Sequence, residues 1–372
     1  MISSLSISAT TEEIDWYAFL ERRPLPRSAD LESLQEQSIL VTGAGGSIGS
    51  ALSLQLASMA PRRLILLDAS EQALYRLQLQ LTMVDSPAIV TILGSVNDAV
   101  LLSEICSNHQ PDLVFHAAAH KHAPLLEKQP LAAIATNTLG TSTLVECLGR
   151  HGNPRLVLLS TDKAVEPSSI LGATKRVAEL VTLSAGGIVL RLANVLGSEG
   201  SVVETFLQRI AAGGPITITH PQAERFFLTG AETVDLLLTA ATSVQGPSLL
   251  IPRLEKSHRI SALATFLTSA NSPAHLIECV FTGLRPGEKL DESLFSADER
   301  AAPSVIPGLV ELQTSSAENH NLAPQLSRLA HAVHERNLAQ AMETLREIVP
   351  TYQISPQLQQ LVDLSRTGVP TT

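Results

Sequence analysis

No apolar run in this chain approaches the roughly 20 residues that a bilayer-spanning helix needs, and the N-terminus lacks the charged-then-apolar pattern of a secretory leader. A soluble protein is expected. Cysteine is scarce: Cys106, Cys147 and Cys279 are the only three, far apart and without metal-ligand spacing. That usage points to a reduced, cytoplasmic compartment and to no bound metal. Positive charge is short as well, with 26 Lys and Arg against 36 Asp and Glu and a formal net charge of −10. General nucleic-acid affinity is therefore not expected, although a local pocket can still be basic. No internal repeat or low-complexity tract is evident.

What is present is enough apolar residue to bury a large core. The 372 residues are 44% hydrophobic, which suits one elaborate domain or two intimate ones. The organising stretch is VTGAGGSIGS, residues 41–50, between the apolar run Ser38-Ile39-Leu40 and the amphipathic run that starts at Ala51. Its glycines fall at Gly43, Gly46 and Gly49, a GxxGxxG spacing in which Gly45 is extra and Ile48 stands where a stricter GxGxxG would end. An apolar strand entering a glycine turn and then a helix brings backbone amides, including those of Ser47 and Ile48, close to a pyrophosphate. The next apolar run ends in Asp68, about where a dinucleotide fold places a carboxylate on the adenosine ribose. Capping the helix that follows is a compatible second role for Asp68.

From Ser38 onward strand and helix patterns alternate. Strands are predicted at 38–42, 63–67, 88–93, 112–116, 155–159 and 187–192, and helices from about 47, then over 71–82, 99–108, 131–148 and 169–183. Continuous apolar strands alternating with helices predict an α/β fold, a doubly wound parallel sheet covered on both faces. Ligands in such a sheet sit outside the carboxyl ends of the strands. The rule selects residues 43–49, Asp68, residues 117–122 with Ala117 and Ala118 first, residues 160–163, and residues 191–194.

Four segments are expected. An N-terminal arm covers 1–36 and carries the only tryptophan, Trp16, so it should pack on the body or on a neighbour. A dinucleotide-binding domain covers 37–195, with 231–250 returning to it. Residues 196–295 form a smaller lid, with helices at 204–211 and 233–241, strands at 216–219 and 275–281, and a polar turn at 284–289. Residues 296–372 are a divergent linker, loose over 296–323, followed by helices at 325–336 and 338–348.

At the end of a buried strand, Ser160-Thr161-Asp162-Lys163 places a hydroxyl, a carboxylate and an ammonium side by side, and Lys175 follows on the next helix. A turn with an Asx-type bond and a solvated lysine is the plainer account of the same residues.

Together the stretches TGAGGSIGS, LLDASE, FHAAAHKHAPLLE, TNTLGT, LLSTDKAVEPSSILGATKRVAE, NVLGSEGSV, GGPITITHP, RFFLT and FTGLRPGEKLDE resemble the nucleotide-sugar 4,6-dehydratases of bacterial polysaccharide biosynthesis. These are extended short-chain dehydrogenases often labelled CapD-type. The likeness covers roughly residues 14–350, and STDKAV followed by GATKR is its most specific part. RRPLP and IVPTY resemble the segments that flank the catalytic domain in the large membrane-anchored branch, whose membrane helices have no counterpart here.

The resemblance implies dehydration of a UDP-sugar, typically UDP-N-acetylglucosamine, with a tightly bound and recycled NAD or NADP. Hydride leaves carbon 4, water is lost across carbons 5 and 6, and hydride returns to carbon 6. By the same match Thr161 bonds the carbon 4 oxygen, Asp162 protonates the departing hydroxyl, and Lys163 removes the hydrogen on carbon 5. For that last task the Lys163 pKa is expected to be lowered by Lys175 and the nicotinamide charge. Lys175 holds the nicotinamide ribose, Lys121 and Asn137 line the cofactor and sugar side, and Asn194, Arg225 and Arg285 hold the UDP, an arginine fork suiting a diphosphate. A homodimer through the helices at 131–148 and 169–183 is also implied, as are membrane-associated partners in the pathway.

Departures from the pattern are informative. Four residues before Lys175, where short-chain dehydrogenases usually carry a proton-transferring tyrosine, stands Leu171. The large branch of the family already lacks that tyrosine. Ala69 replaces a common arginine, which favours NAD, and Ser95 replaces an aspartate that usually bonds the adenine. Two other readings stay open: a nucleotide-sugar epimerase, and a non-catalytic dinucleotide-binding subunit or sensor.

Overall fold

A computed structural model of the chain describes residues 14–27, 30–83, 88–271, 276–302, 306–314 and 321–366. Residues 1–13 and 28–29 of the expected arm, His275 of the expected strand, and 303–305 and 315–320 of the linker lie outside the described residues.

Helix α1 (Trp16–Leu20) precedes the sheet. Strand β1 (Ser38–Thr42) runs into α2 (Ser47–Ser58), β2 (Arg63–Asp68) into α3 (Glu71–Leu81), and β3 (Ile89–Leu93) into α4 (Ala99–His109). Strand β4 (Leu113–His116) leads to short helices α5 (Ala123–Leu126) and α6 (Pro130–Ala133), which pass through a π-helical stretch (Ile134–Leu139) into α7 (Gly140–Arg150). Next come β5 (Arg155–Thr161), α8 (Ile170–Ser184), β6 (Ile188–Leu192) and β7 (Asn194–Val195). The chain continues with α9 (Val202–Ala211), β8 (Ile216–Ile218), β9 (Glu224–Arg225), β10 (Phe227–Leu228), α10 (Gly230–Ser243) and β11 (Ser248–Pro252). It ends with β12 (His258–Arg259), α11 (Ile260–Asn271), β13 (Cys279–Phe281), β14 (Glu299–Ala301), β15 (Leu309–Thr314), α12 (Ala323–His334), α13 (Leu338–Ile348) and α14 (Pro356–Arg366).

Nine strands form the central sheet in the order β14-β15-β11-β6-β5-β4-β1-β2-β3. The pairs from β11 to β3 are parallel, and β15 joins antiparallel to both β11 and β14. Every residue of β1, β4 and β6 is buried, as helices on both faces require. This is the doubly wound α/β architecture that the alternating pattern predicts. The chain reverses between β3 and β4, so the crevice opens beside the carboxyl end of β1. Thr42 pairs with His116 and Thr161 with Leu192, which brings the loops at 43, 117, 162 and 193 to one edge.

Three differences from the sequence reading have simple causes. The expected helix over 131–148 is broken by the π-helical stretch. The linker contributes β14 and β15, short strands that pair with each other and join the sheet through β11, a partner far away in sequence. And the apolar faces of the helices expected to pair two copies are covered from within: Ile134, Leu171, Val177 and Val181 pack with Leu329, Met342, Leu345 and Leu358 of α12–α14 in one buried cluster. Glu127 ties the arrangement down, accepting from Ile170 N at 2.7 Å and from Ser355 Oγ at 2.5 Å. A dimer through those same faces would have to displace the C-terminal helices.

Helix α1 packs into the smaller lobe, with the Phe19 ring 5.9 Å from Phe227 and 5.3 Å from Phe266. Arg22 forks onto Glu232 at 2.5 and 2.9 Å, anchoring the arm to the first turn of α10. Packing of α4 against α7 also brings Cys106 Sγ to 3.7 Å from Cys147 Sγ. The cysteines that look remote in sequence are therefore in contact.

Candidate active site

A cavity of roughly 660 Å³ opens at the carboxyl edge of β1, β4, β5 and β6. Its floor on one side is the glycine loop: Gly43, Gly46, Ser47, Ile48 and Gly49 all line it, with Ala117 beyond. Gly43 has φ +68°, and a Cβ there would lie 2.6 Å from Ala118 N. A Cβ at Gly49 would lie 2.0 Å from Gly43 O. Only glycine permits this turn. Gly46 is the N-cap of α2 and offers no side chain to its first amides, so that helix start can receive the oxygens of a phosphate.

Asp68 closes the loop from behind. Its carboxylate accepts from Gly45 N and Ser70 N, each at 2.8 Å, and the capping of α3 itself falls to the Ser70 hydroxyl. An oxygen that accepts one amide keeps a second lone pair for a ribose hydroxyl, so loop, helix start and carboxylate fit a dinucleotide. Ala118 packs behind Gly43 and does not line the cavity. Asn137 does not line it either: it is fully buried, accepts from His120 N at 2.8 Å, and donates to His120 O at 3.1 Å and Thr174 Oγ1 at 3.2 Å. The expected cofactor and sugar contact is thus a brace that holds residues 117–122 in place.

The opposite wall carries Thr161, Lys163, Leu171, Lys175 and Asn194. Lys163 Nζ donates to Asp162 Oδ1 at 2.9 Å and to Asn194 Oδ1 at 3.0 Å. Thr161 Oγ1 also donates to Asp162 Oδ1, at 2.9 Å. Asp162 itself is fully buried behind this wall, and its Oδ2 has no hydrogen-bond partner among the described residues. The direct contact with substrate expected for Asp162 is therefore corrected. It reaches the cavity only through Thr161 and Lys163.

A second buried carboxylate was missed. Glu292, the last residue of the LDE in the motif after Arg285, lies 4.0 Å from Lys163 Nζ and 3.7 Å from Lys289 Nζ. Burial pushes its carboxyl up, against the nearby Lys163 ammonium. Burial pushes Lys163 down, but Asp162 and Glu292 outweigh it and hold the amine above the ordinary lysine range. That reverses the lowering expected from the sequence. Lys175 is the depressed lysine: burial takes it to about 8, Glu179 offsetting part of the effect. Its Nζ donates to Leu159 O at 2.5 Å.

Behind β5, Arg191 is 1% exposed and forks onto Glu179 at 2.9 and 2.9 Å and onto Glu299 at 2.6 and 2.8 Å. Ser160 Oγ donates to the same Glu179 at 2.6 Å. Burial pushes Glu179 up, yet Arg191 and Arg176 outweigh it and hold the carboxylate down at about 2. The strand β14 that carries Glu299 thereby reaches the back of the strand that carries Thr161.

Lys121 lines the cavity as expected and donates to Glu199 O at 2.7 Å. Burial lowers its pKa, against Glu199 and Glu204. Glu199 N donates in turn to Ser47 Oγ at 3.0 Å, so residues 198–201 bridge from the lysine to the glycine loop. The two expected diphosphate arginines lie elsewhere. Arg225 spends its guanidinium on the carbonyls of Glu224, Leu290 and Lys289, at 2.6, 2.8 and 2.8 Å, which fixes the turn before Glu292. Arg285 is exposed in that turn and does not line the cavity.

The sequence model of a family described as polysaccharide biosynthesis protein matches residues 39–313. The chain belongs to this family. Among curated proteins, the chain is 38% identical over 276 residues to the capsular polysaccharide biosynthesis protein CapD of Staphylococcus aureus, covering 72% of this chain and 46% of that one. It is 31% identical over 275 residues to a UDP-N-acetylglucosamine 4,6-dehydratase (inverting) of Campylobacter jejuni, covering 71% of this chain and 79% of that one. The chain spans about half the length of the first curated relatives it matches, 46% of one and 50% of another. Among solved structures, Pen from Bacillus thuringiensis superposes with a TM-score of 0.70 at 24% identity, covering 76% of this chain and 90% of that one. That likeness concerns the fold. Among the described residues no helix is long and apolar enough to cross a membrane.

Proposed function

We propose that this member of the family dehydrates a UDP-N-acetylhexosamine, UDP-N-acetylglucosamine first among them, to the 4-keto-6-deoxy sugar for a bacterial surface polysaccharide or glycan. The observation that carries the reading is the Lys163 amine at the cavity wall, bonded to the buried Asp162 and to Asn194, opposite the glycine loop. NAD or NADP bound along that loop would supply a hydride acceptor at carbon 4 and a donor at carbon 6.

The remaining chemistry belongs to the side chains. Thr161 would turn its hydroxyl from Asp162 to the carbon 4 oxygen, and Lys175 would hold the nicotinamide ribose beside it. Once carbon 4 is a ketone, the hydrogen on carbon 5 is acidic enough for an amine to remove. Lys163 becomes that amine when its proton crosses the 2.9 Å hydrogen bond to Asp162. Lys163 then takes the carbon 5 proton and delivers it to the departing carbon 6 hydroxyl, which leaves as water. Asp162 returns its proton to Lys163, which protonates carbon 5 as carbon 6 is reduced and then regains from solvent the equivalent of the proton that the carbon 4 hydroxyl released there on oxidation. One amine acts as base and then acid, with Asp162 as its proton store and Leu171 supplying only an apolar wall.

Purified protein mixed with UDP-N-acetylglucosamine should yield a product lighter by one water. An isomer of unchanged mass would establish an epimerase instead, and no conversion despite bound dinucleotide would leave a sensor or binding subunit.

A further inference from the structure

Away from the cavity, Cys106 on α4 meets Cys147 and His151 on α7. Their Sγ, Sγ and imidazole nitrogen atoms all lie within 4.8 Å of one another. Both cysteines are buried, at 2% and 3% exposure, and His151 is half-buried at the mouth of the cluster.

The Sγ to Sγ distance is 3.7 Å. Tetrahedral zinc with bonds of about 2.3 Å to sulfur separates two thiolates by about 3.8 Å, so the pair already has the spacing of one edge of such a site. His151 Nδ1 lies 3.8 Å from Cys147 Sγ. Its other nitrogen, Nε2, faces Ser107 Oγ at 3.2 Å and Ser103 Oγ at 3.4 Å. A ligand histidine needs such an outer partner to fix its ring and tautomer. Without metal, Nδ1 has Cys147 O at 2.9 Å, so binding exchanges one tautomer for the other and leaves the ring neutral.

We propose that Cys106, Cys147 and His151 form a site for one thiophilic divalent cation of the zinc class, clamping α4 to α7, with a water in the fourth position. Two thiol protons leave to solvent, and the cation, two thiolates and a neutral imidazole sum to zero charge. Zero net charge suits the apolar surroundings, where Leu102, Ile105, Leu144 and Leu148 pack around the sulfurs.

The test uses the 372-residue chain carrying Cys279→Ser, which removes the exposed thiol, reduced and stripped with a chelator. Added cobalt(II) should bind at one equivalent per chain with a thiolate charge-transfer band in the near ultraviolet, and zinc(II) should displace it. Cys147→Ser should abolish the band, and His151→Ala should weaken binding at least tenfold while circular dichroism stays unchanged. Absence of the band, a band that survives both substitutions, or loss of both thiols to a disulfide without metal uptake would each overturn the assignment.

Discussion

Asp162 Oδ1 and Lys163 Nζ are 2.9 Å apart, adjacent in sequence, yet only the lysine reaches the cavity. The 3-10 turn that follows β5 sends one side chain behind the wall and its neighbour through it. In the proposed reaction, proton transfer at this site therefore runs through Lys163.

Lys163→Ala should lower turnover of UDP-N-acetylglucosamine by about 10²–10⁴-fold while dinucleotide stays bound, because the glycine loop is untouched. Leu171→Ala should cost far less. Product mass and dinucleotide content of the purified variants measure both effects, and equal losses at the two positions would misplace the acid-base group.

Glu292 acts on Lys163 from 4.0 Å. It helps raise the lysine pKa, so Glu292→Gln should lower it and move the pH-rate profile to lower pH. A profile that stays in place would reduce Glu292 to packing.

His116 is enclosed between Thr42 Oγ1 at 2.7 Å and Thr141 Oγ1 at 3.0 Å. Burial, with a smaller effect of Lys175, takes its pKa from 6.5 to about 3. Between those values the unfolded chain binds the proton and the folded chain does not, so stability falls as pH drops through that window. The contribution approaches about 1.4 kcal/mol per pH unit. Denaturant titrations from pH 7 to pH 4 should show a shallower decline for His116→Gln.

Arg191 neutralises two buried carboxylates at once. Arg191→Met would leave the two buried carboxylates Glu179 and Glu299 with Arg176 as their remaining cation, and should destabilise the fold by about 3–5 kcal/mol, read from the midpoint of chemical unfolding. A smaller loss in turnover per folded molecule would place the network's role in holding β5 rather than in the chemistry.

The sequence by itself determined the sheet, because buried parallel strands leave continuous apolar runs and crossover helices leave periodic ones. It also determined the glycine loop, since Gly43 and Gly49 stand where a backbone atom excludes any Cβ, and it marked Thr161, Lys163, Lys121 and Asn194 as neighbours at the strand ends. Tertiary structure alone decided where side chains point and what far segments do. It put Asp162 behind the wall and Asn137 into a brace, turned Arg225 onto carbonyls of its own lobe, and raised Lys163 with a glutamate 129 positions away. It brought α12–α14 over the helices expected to pair two copies, and joined cysteines 41 residues apart. The physical reason is common to all of these: local patterns record which residues are buried and in what period, whereas hydrogen bonds and charge pairs between distant segments leave no period to read.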